Sequence, residues 1–289
     1  MHDSGSAQAR EMKNMNHAST LAYVAAEAAS KQTVLRQHPG RYLLSAGMAG
    51  ALIAVVLSVS LKLGQVFFAV GSPGYYIAVA GFFGVALVSI IVCKLELFTS
   101  NVMYFSIGVL SGDCRVCNLL RSWTMVYLGN LLGVLLFTAV FAGAGGMGSL
   151  PADHLLFNVA AHKVHAGAWE IFWKGALCNW VICLAVWVPL RMAGDAAKML
   201  MILLLVFVFF FSGFEHSIAN MAFFSLALLH GMQGLDAAAI LHNMIPATLG
   251  NIAGGALGVG LVVYLLERHT LPVRREAAKP AATALGSRV

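Results

Sequence analysis

The chain has 289 residues, of which 60% are hydrophobic and 10% charged, and its formal net charge is +6. Its mean hydropathy is +0.81. A soluble domain carries roughly 25% charged residues, so the composition excludes an ordinary soluble domain and indicates a polytopic membrane protein. The five cysteines are Cys93, Cys114, Cys117, Cys178 and Cys183, an odd number lying mostly in or beside apolar runs. That argues against a disulfide framework, and the single CxxC at Cys114 and Cys117 reads as two loop thiols rather than half a metal site.

Residues 1–18 are polar, are expected to be disordered, and carry no pattern of a cleavable signal peptide. From 20 to 37, helical spacing with mixed polarity predicts an amphipathic helix on the membrane surface. Residues 1–40 thus form an N-terminal region, 41–267 a transmembrane domain and 268–289 a polar tail. Six spanning elements are expected in the middle region, each near the ~20 residues a bilayer requires. The first covers 42–70. The second starts near 75, is interrupted at 94–101 by KLELFTSN, and resumes to 110. The third covers 123–142. A looser segment containing His162, Lys163 and His165 leads to the fourth, 169–190. The fifth, 198–229, breaks at Ser212-Gly213-Phe214 and places Glu215 beside His216. The sixth covers 238–266.

Spans two and five are both broken midway by an insertion containing Glu, and a Gly-Asn-x-x-Gly follows about thirty residues later (129–133 and 250–254). Two three-helix units of this kind must insert with opposite orientation, because three is odd. The expected fold is all-α, with six transmembrane helices in two inverted repeats and helices 2 and 5 interrupted. Paired discontinuous helices mark a transporter or channel with its site at the midplane. Lys and Arg crowd both ends of the chain and the connections at 115–121 and 191–198, whereas the other side offers only Lys62 and Lys163. Both termini are therefore expected in the cytoplasm.

An ionisable pair inside a span is costly and by default marks a substrate pathway. His216, at the break, could donate a hydrogen bond or a proton to a small anion. Thr99 and Ser100, in the other break, could bridge to it or cap the resumed helix. Lys163 would raise the local anion concentration on an otherwise uncharged outer face. Lys94 is a cation near membrane depth, and it is expected to pair with Glu96 or Glu215 or to snorkel to an interface. Lys174 is a second such cation, with no assigned role.

The stretches ELFTSN (96–101), NWVICLAVW (179–187), GFEHSIANM (213–221) and IPATLGNIAGG (245–255) resemble the formate/nitrite transporter family, collinearly from about 25 to 264. The resemblance implies an aquaporin-like fold, a homopentamer with one pore per protomer, and a location in the cell inner membrane. It also implies that His216 is the central pore histidine, faced by Thr99 and supported by Asn179, with Lys163 beside the outer vestibule. Phe83, Leu87, Phe98, Ile182 and Phe209 fall on constriction positions. The family's usual pair before ELFT is small, and Lys94-Leu95 departs from it.

The expected function is passive or proton-coupled passage of a small monovalent anion, with His216 or vestibule water supplying the proton. Formate is favoured, nitrite is the first alternative, and hydrosulfide and lactate are further ones. The partners would be protons, these anions and the lipid bilayer. No nucleic acid, cofactor or metal is expected. A neutral-solute channel of the aquaporin type would need paired Asn-Pro-Ala motifs, which the sequence lacks. An intramembrane enzyme would need a metal-spaced second histidine or a serine dyad beside Glu215-His216, and neither stands out.

Overall fold

The computed structural model describes residues 4–271, and all its regular structure is helical. The tail expected from 268 to 289 lies, beyond residue 271, outside the described residues. Eleven α-helices are assigned: α1 (Ser4–Gln37), α2 (Pro39–Phe68), α3 (Tyr75–Val92), α4 (Phe98–Leu110), α5 (Val116–Gly143), α6 (Leu155–His165), α7 (Ala168–Trp187), α8 (Asp195–Phe211), α9 (Ser217–Leu229), α10 (Ala237–Ala253) and α11 (Val262–Glu267). Among the described residues, five helical stretches are long and apolar enough to cross a membrane: Pro39–Phe68, Tyr75–Val92, Val116–Gly143, Ala168–Arg191 and Ala237–Thr270. α4 and α9 are shorter apolar helices, each resuming after a break.

Two expectations for the flanking segments change. The N-terminal helix starts at Ser4, not near 20. Its apolar stripe, Leu21, Val24, Ala25 and Ala28, is buried against protein: Met103, Ile107, Cys183 and Val259 join the first three in one cluster. Spacing of i, i+3, i+4, i+7 gives one apolar face, and lipid and protein can bury such a face equally well. The segment before the fourth span, expected to be loose, contains α6. It is capped by His154, whose Nδ1 accepts from the Leu156 N–H at 3.1 Å.

Two helix pairs, α2 with α5 and α7 with α10, pack nearly backbone to backbone. A Cβ on Gly133 would sit 1.8 Å from the Gly47 carbonyl oxygen, and one on Gly250 would sit 2.1 Å from that of Phe172; just past α10, one on Gly254 would sit 1.9 Å from that of Ala176. Small residues permit this approach where no hydrophobic effect draws helices together in lipid. Past Pro246, α10 widens into π-helical turns over Gly254–Leu261. π turns are rare, and they gather at functional sites.

Candidate functional site

Both breaks are built in the same way. α3 ends with Lys94 at φ 51°, its N–H donating to the Ile91 carbonyl (3.1 Å) while the Leu95 N–H donates to Ile90 (2.9 Å). α8 ends with Gly213 at φ 68°, its N–H donating to Phe210 (3.0 Å) while the Phe214 N–H donates to Phe209 (3.2 Å). This is the Schellman termination, in which a left-handed residue closes the helix and satisfies its last carbonyls. Glycine holds that position in the second break, and a lysine holds it in the first.

A carboxylate then anchors each break. Glu96 accepts from Lys31 Nζ on α1 (2.8 Å) and from Asn101 Nδ2 (2.7 Å). Glu215 accepts from Lys163 Nζ on α6 (3.0 Å) and from Asn220 Nδ2 (2.5 Å). Asn243 Nδ2 lies 3.3 Å from the same Glu215 oxygen. The expected pairing of Lys94 with Glu96 or Glu215 is therefore corrected. Each carboxylate takes a lysine from the helix preceding its half of the chain, and Lys94 is exposed. Lys163, expected as a lone cation, is also paired, and its ammonium lies 5.3 Å from the centre of the Phe223 ring. Lys174 pairs with Glu170 one turn away at 2.5 Å.

The freed backbone is satisfied by two asparagines from the Gly-Asn-x-x-Gly motifs. Asn130 Nδ2 donates to the carbonyls of Ala46 (2.8 Å) and Glu96 (3.0 Å), and its Oδ1 accepts from the Phe98 N–H (3.0 Å). Asn251 Nδ2 donates to the carbonyls of Gly175 and Glu215 (both 2.8 Å), and its Oδ1 accepts from the Ser217 N–H (2.9 Å). Without water, each such group left unpaired costs several kcal/mol. Neither asparagine was singled out from the sequence. The signal was present: each follows a glycine in a repeated motif, and each anchoring Glu has an Asn five residues on.

Between the breaks, His216 meets Thr99, with Nε2 3.2 Å from Oγ1. His216 is also the N-cap of α9, its Nδ1 accepting from the Ala219 N–H at 3.0 Å. An accepting Nδ1 carries no proton, so the neutral ring is the Nε2–H tautomer and donates to Thr99. Asn179 Nδ2 holds the Thr99 carbonyl at 3.2 Å and the Asn251 carbonyl at 2.6 Å, which links Thr99 to the lock of the second break. Ser100 Oγ is buried with no hydrogen-bond partner among the described residues, and it takes no part in the His216 contact.

Two cavities meet at this histidine. The larger, about 470 Å³, runs past Tyr75, Tyr76, Lys163, Phe210 and Glu215 to Phe209 and His216. The smaller, about 10 Å³, is lined by Ile53, Phe83, Leu87, Leu97, Ile182, Val206, Phe209 and His216. Phe209 and His216 thus border both, with ring centroids 6.0 Å apart, and Phe83 closes on Phe209 edge-on at 6.2 Å. Of the five expected constriction residues, Phe83, Leu87, Ile182 and Phe209 line this narrow chamber. Phe98 lines neither cavity. Its ring turns to α5 and meets Tyr127 edge-on at 5.1 Å, while Leu97 takes the chamber wall. Helix α4 begins at Phe98, and that start sends alternate side chains of the break to opposite sides.

A profile of the family described as formate/nitrite transporter matches residues 18–265. The nitrite transporter NirC of Escherichia coli (strain K12) is 36% identical over 244 residues, 84% of this chain and 89% of that protein. A solved FNT family ion channel superposes with a TM-score of 0.82 at 32% identity, covering 86% of this chain and 98% of its own. A pentameric formate channel solved with formate bound gives 0.65 at 27% identity, covering 78% of this chain and 96% of its own.

Proposed function

The chain belongs to the formate/nitrite transporter family, and from that premise we propose that it conducts a small monovalent anion, formate first and nitrite second, past His216. The observation that carries this is a single histidine bordering both a 470 Å³ vestibule and a chamber of about 10 Å³ walled by apolar side chains. A bare anion entering such walls loses its hydration without replacement, a cost of several kcal/mol. Protonation to the neutral acid removes most of that cost, so passage is coupled to a proton. The Nε2–H of His216, aimed at Thr99, can donate a hydrogen bond to the oxygens of passing formate or nitrite.

The tautomer bears on where the proton comes from. A doubly protonated ring would point an N–H at the Ala219 N–H that now donates to it. That geometry favours His216 as a hydrogen-bond donor, with the proton taken by the anion from vestibule water. Nitrite stays the second reading because NirC, named as a nitrite transporter, is 36% identical across 84% of this chain.

The proposal extends to architecture. The matching locks at 94–101 and 213–220 support two inverted three-helix halves, with α3–α4 and α8–α9 each serving as one broken span, as in an aquaporin-like pore. The cation distribution supports cytoplasmic termini in an inner membrane. A pentamer is proposed by analogy with the pentameric formate channel.

The test is uptake of labelled formate and nitrite into proteoliposomes, with and without a pH gradient. Formate flux that rises with an inward proton gradient is expected. His216→Phe should alter its rate and pH dependence, and a wild-type rate and profile in that variant would reject the role of the histidine. Thr99→Val, which removes the hydroxyl facing Nε2, should lower flux on the order of 10-fold, the scale of one hydrogen bond lost in the transfer step.

A further inference from the structure

The charged groups lining the vestibule are Lys163, Lys174, Glu170 and Glu215. They cancel in two ion pairs, Lys163 with Glu215 at 3.0 Å and Lys174 with Glu170 at 2.5 Å. A vestibule so balanced has no fixed charge with which to gather anions. The remaining ionisable groups in its wall are Tyr75, Tyr76, His162, His165 and His216.

The three histidines differ in what a second proton would meet. His216 is buried, with both ring nitrogens engaged. His165 is exposed, and its Nδ1 lies 2.7 Å from the Ala161 carbonyl. Carbonyls only accept, so Nδ1 carries the proton and Nε2 is open. His162 is exposed one turn earlier. Both lie in the last turn of α6, where the helix dipole favours a cation.

The elements packed around α6 offer few opposing groups. On α10, His242 Nε2 lies 2.9 Å from the Ala166 carbonyl, at the rim. On α2, Lys62 lies over the Phe141 ring. At the far end of α6, burial and then the neighbouring His230 push His154 below the ordinary histidine value, while Asp153 opposes them. His154 Nδ1 is also committed to its cap.

We propose that His162 and His165 form an anion-recruiting site at the vestibule mouth, turning its net charge from zero to positive when they are protonated. The inference rests on the reading of the chain as an anion pathway, and it names the residues that load that pathway. An imidazole in water gains its second proton near about pH 6.5, whereas simple carboxylic acids titrate near about 4. Formate is therefore still an anion at pH values that protonate an ordinary imidazole. A cleft lined by one sign of charge raises local counter-ion concentration about 10-fold or more, and salt screens the effect.

The experiment measures formate and nitrite flux in proteoliposomes with equal pH on both sides, at about pH 7.5 and about pH 5.5, in low and high salt. Equal pH removes the proton gradient and protonates the site alike in both liposome orientations. The wild-type KM should fall on the order of 10-fold on acidification in low salt, and much less in high salt. In His162→Gln/His165→Gln the salt-sensitive part of the pH dependence of KM should vanish, while the pH dependence that comes from protonating the anion itself remains. His165→Arg should hold KM low at both pH values. A double variant that keeps the wild-type KM profile in both salts would overturn the inference while leaving the transport reading intact. A wild-type chain that moves neither anion would overturn both.

Discussion

Lys94 holds a backbone conformation that its own Cβ makes costly. Its φ is 51°, in the left-handed region, and its counterpart in the other break is Gly213. A residue with a side chain pays about 1 kcal/mol there, and among the described residues the ammonium gains no carboxylate in return. Lys94→Gly is therefore expected to stabilise the protein by about 1 kcal/mol, read as a rise of roughly 2 °C in the unfolding midpoint in detergent. A fall would mean that the exposed lysine makes a contact worth more than the strain. The asparagine locks give the opposite prediction. Asn251→Ala strips partners from the Ser217 N–H and from two carbonyls at once, each worth about 1–3 kcal/mol when buried unpaired. Asn130→Ala does the same at the first break. Both should collapse the yield of monodisperse protein. Asn158→Ala, which loses only bonds to the Asp153 and His154 carbonyls near the surface of α6, should not.

At the scale of elements, the breaks were legible and their fastenings were not. Glu next to His in an apolar run is conspicuous, and so is the Ser-Gly-Phe before it. The partners of Glu96 and Glu215 come from 65 and 52 residues away, on α1 and α6, and no local pattern could pair them. Lys94 misled because it is near Glu96 in sequence. The Schellman turn separates them, placing Glu96 inside and Lys94 outside. Helix packing gives a contrasting pair of predictions. Gly254→Ala would drive a Cβ to 1.9 Å from the Ala176 carbonyl oxygen, whereas a Cβ at Gly81 meets nothing within 4 Å. The first substitution should push the π-helical turns that follow α10 off α7 and cost the fold. The second should be neutral or stabilising by about 0.5–1 kcal/mol, since alanine loses less entropy in a helix than glycine. Circular dichroism melts in detergent would check both.

For the whole molecule, long apolar side chains are exposed on the outer faces of the spans, among them Leu44, Leu136, Trp169 and Leu257. Lipid covers such a surface, and so would other copies of the chain. A native mass of five times the 30.7 kDa chain is expected in mild detergent by mass spectrometry. A monomer or dimer mass that persists in lipid nanodiscs would overturn the proposed pentamer. The vestibule prediction also belongs here, because the charge that gathers an anion is a property of four cancelling side chains together with the two histidines at the rim.

The sequence by itself determined that the chain is a helical membrane protein, that its helical run breaks at 94–101 and near 213, and that His216 and Thr99 lie at those breaks. Those features follow from hydropathy and from the cost of polar groups in lipid, which act locally and leave a local trace. The tertiary structure alone decided that Lys31 and Lys163 neutralise the two carboxylates, that Asn130 and Asn251 hold the broken backbone, and that Leu97 rather than Phe98 walls the chamber. It also fixed the proton of His216 on Nε2. Each of these depends on where distant hydrogen-bonding groups or facing helices come to rest, and long-range pairing in a buried site is written in no single stretch of the chain.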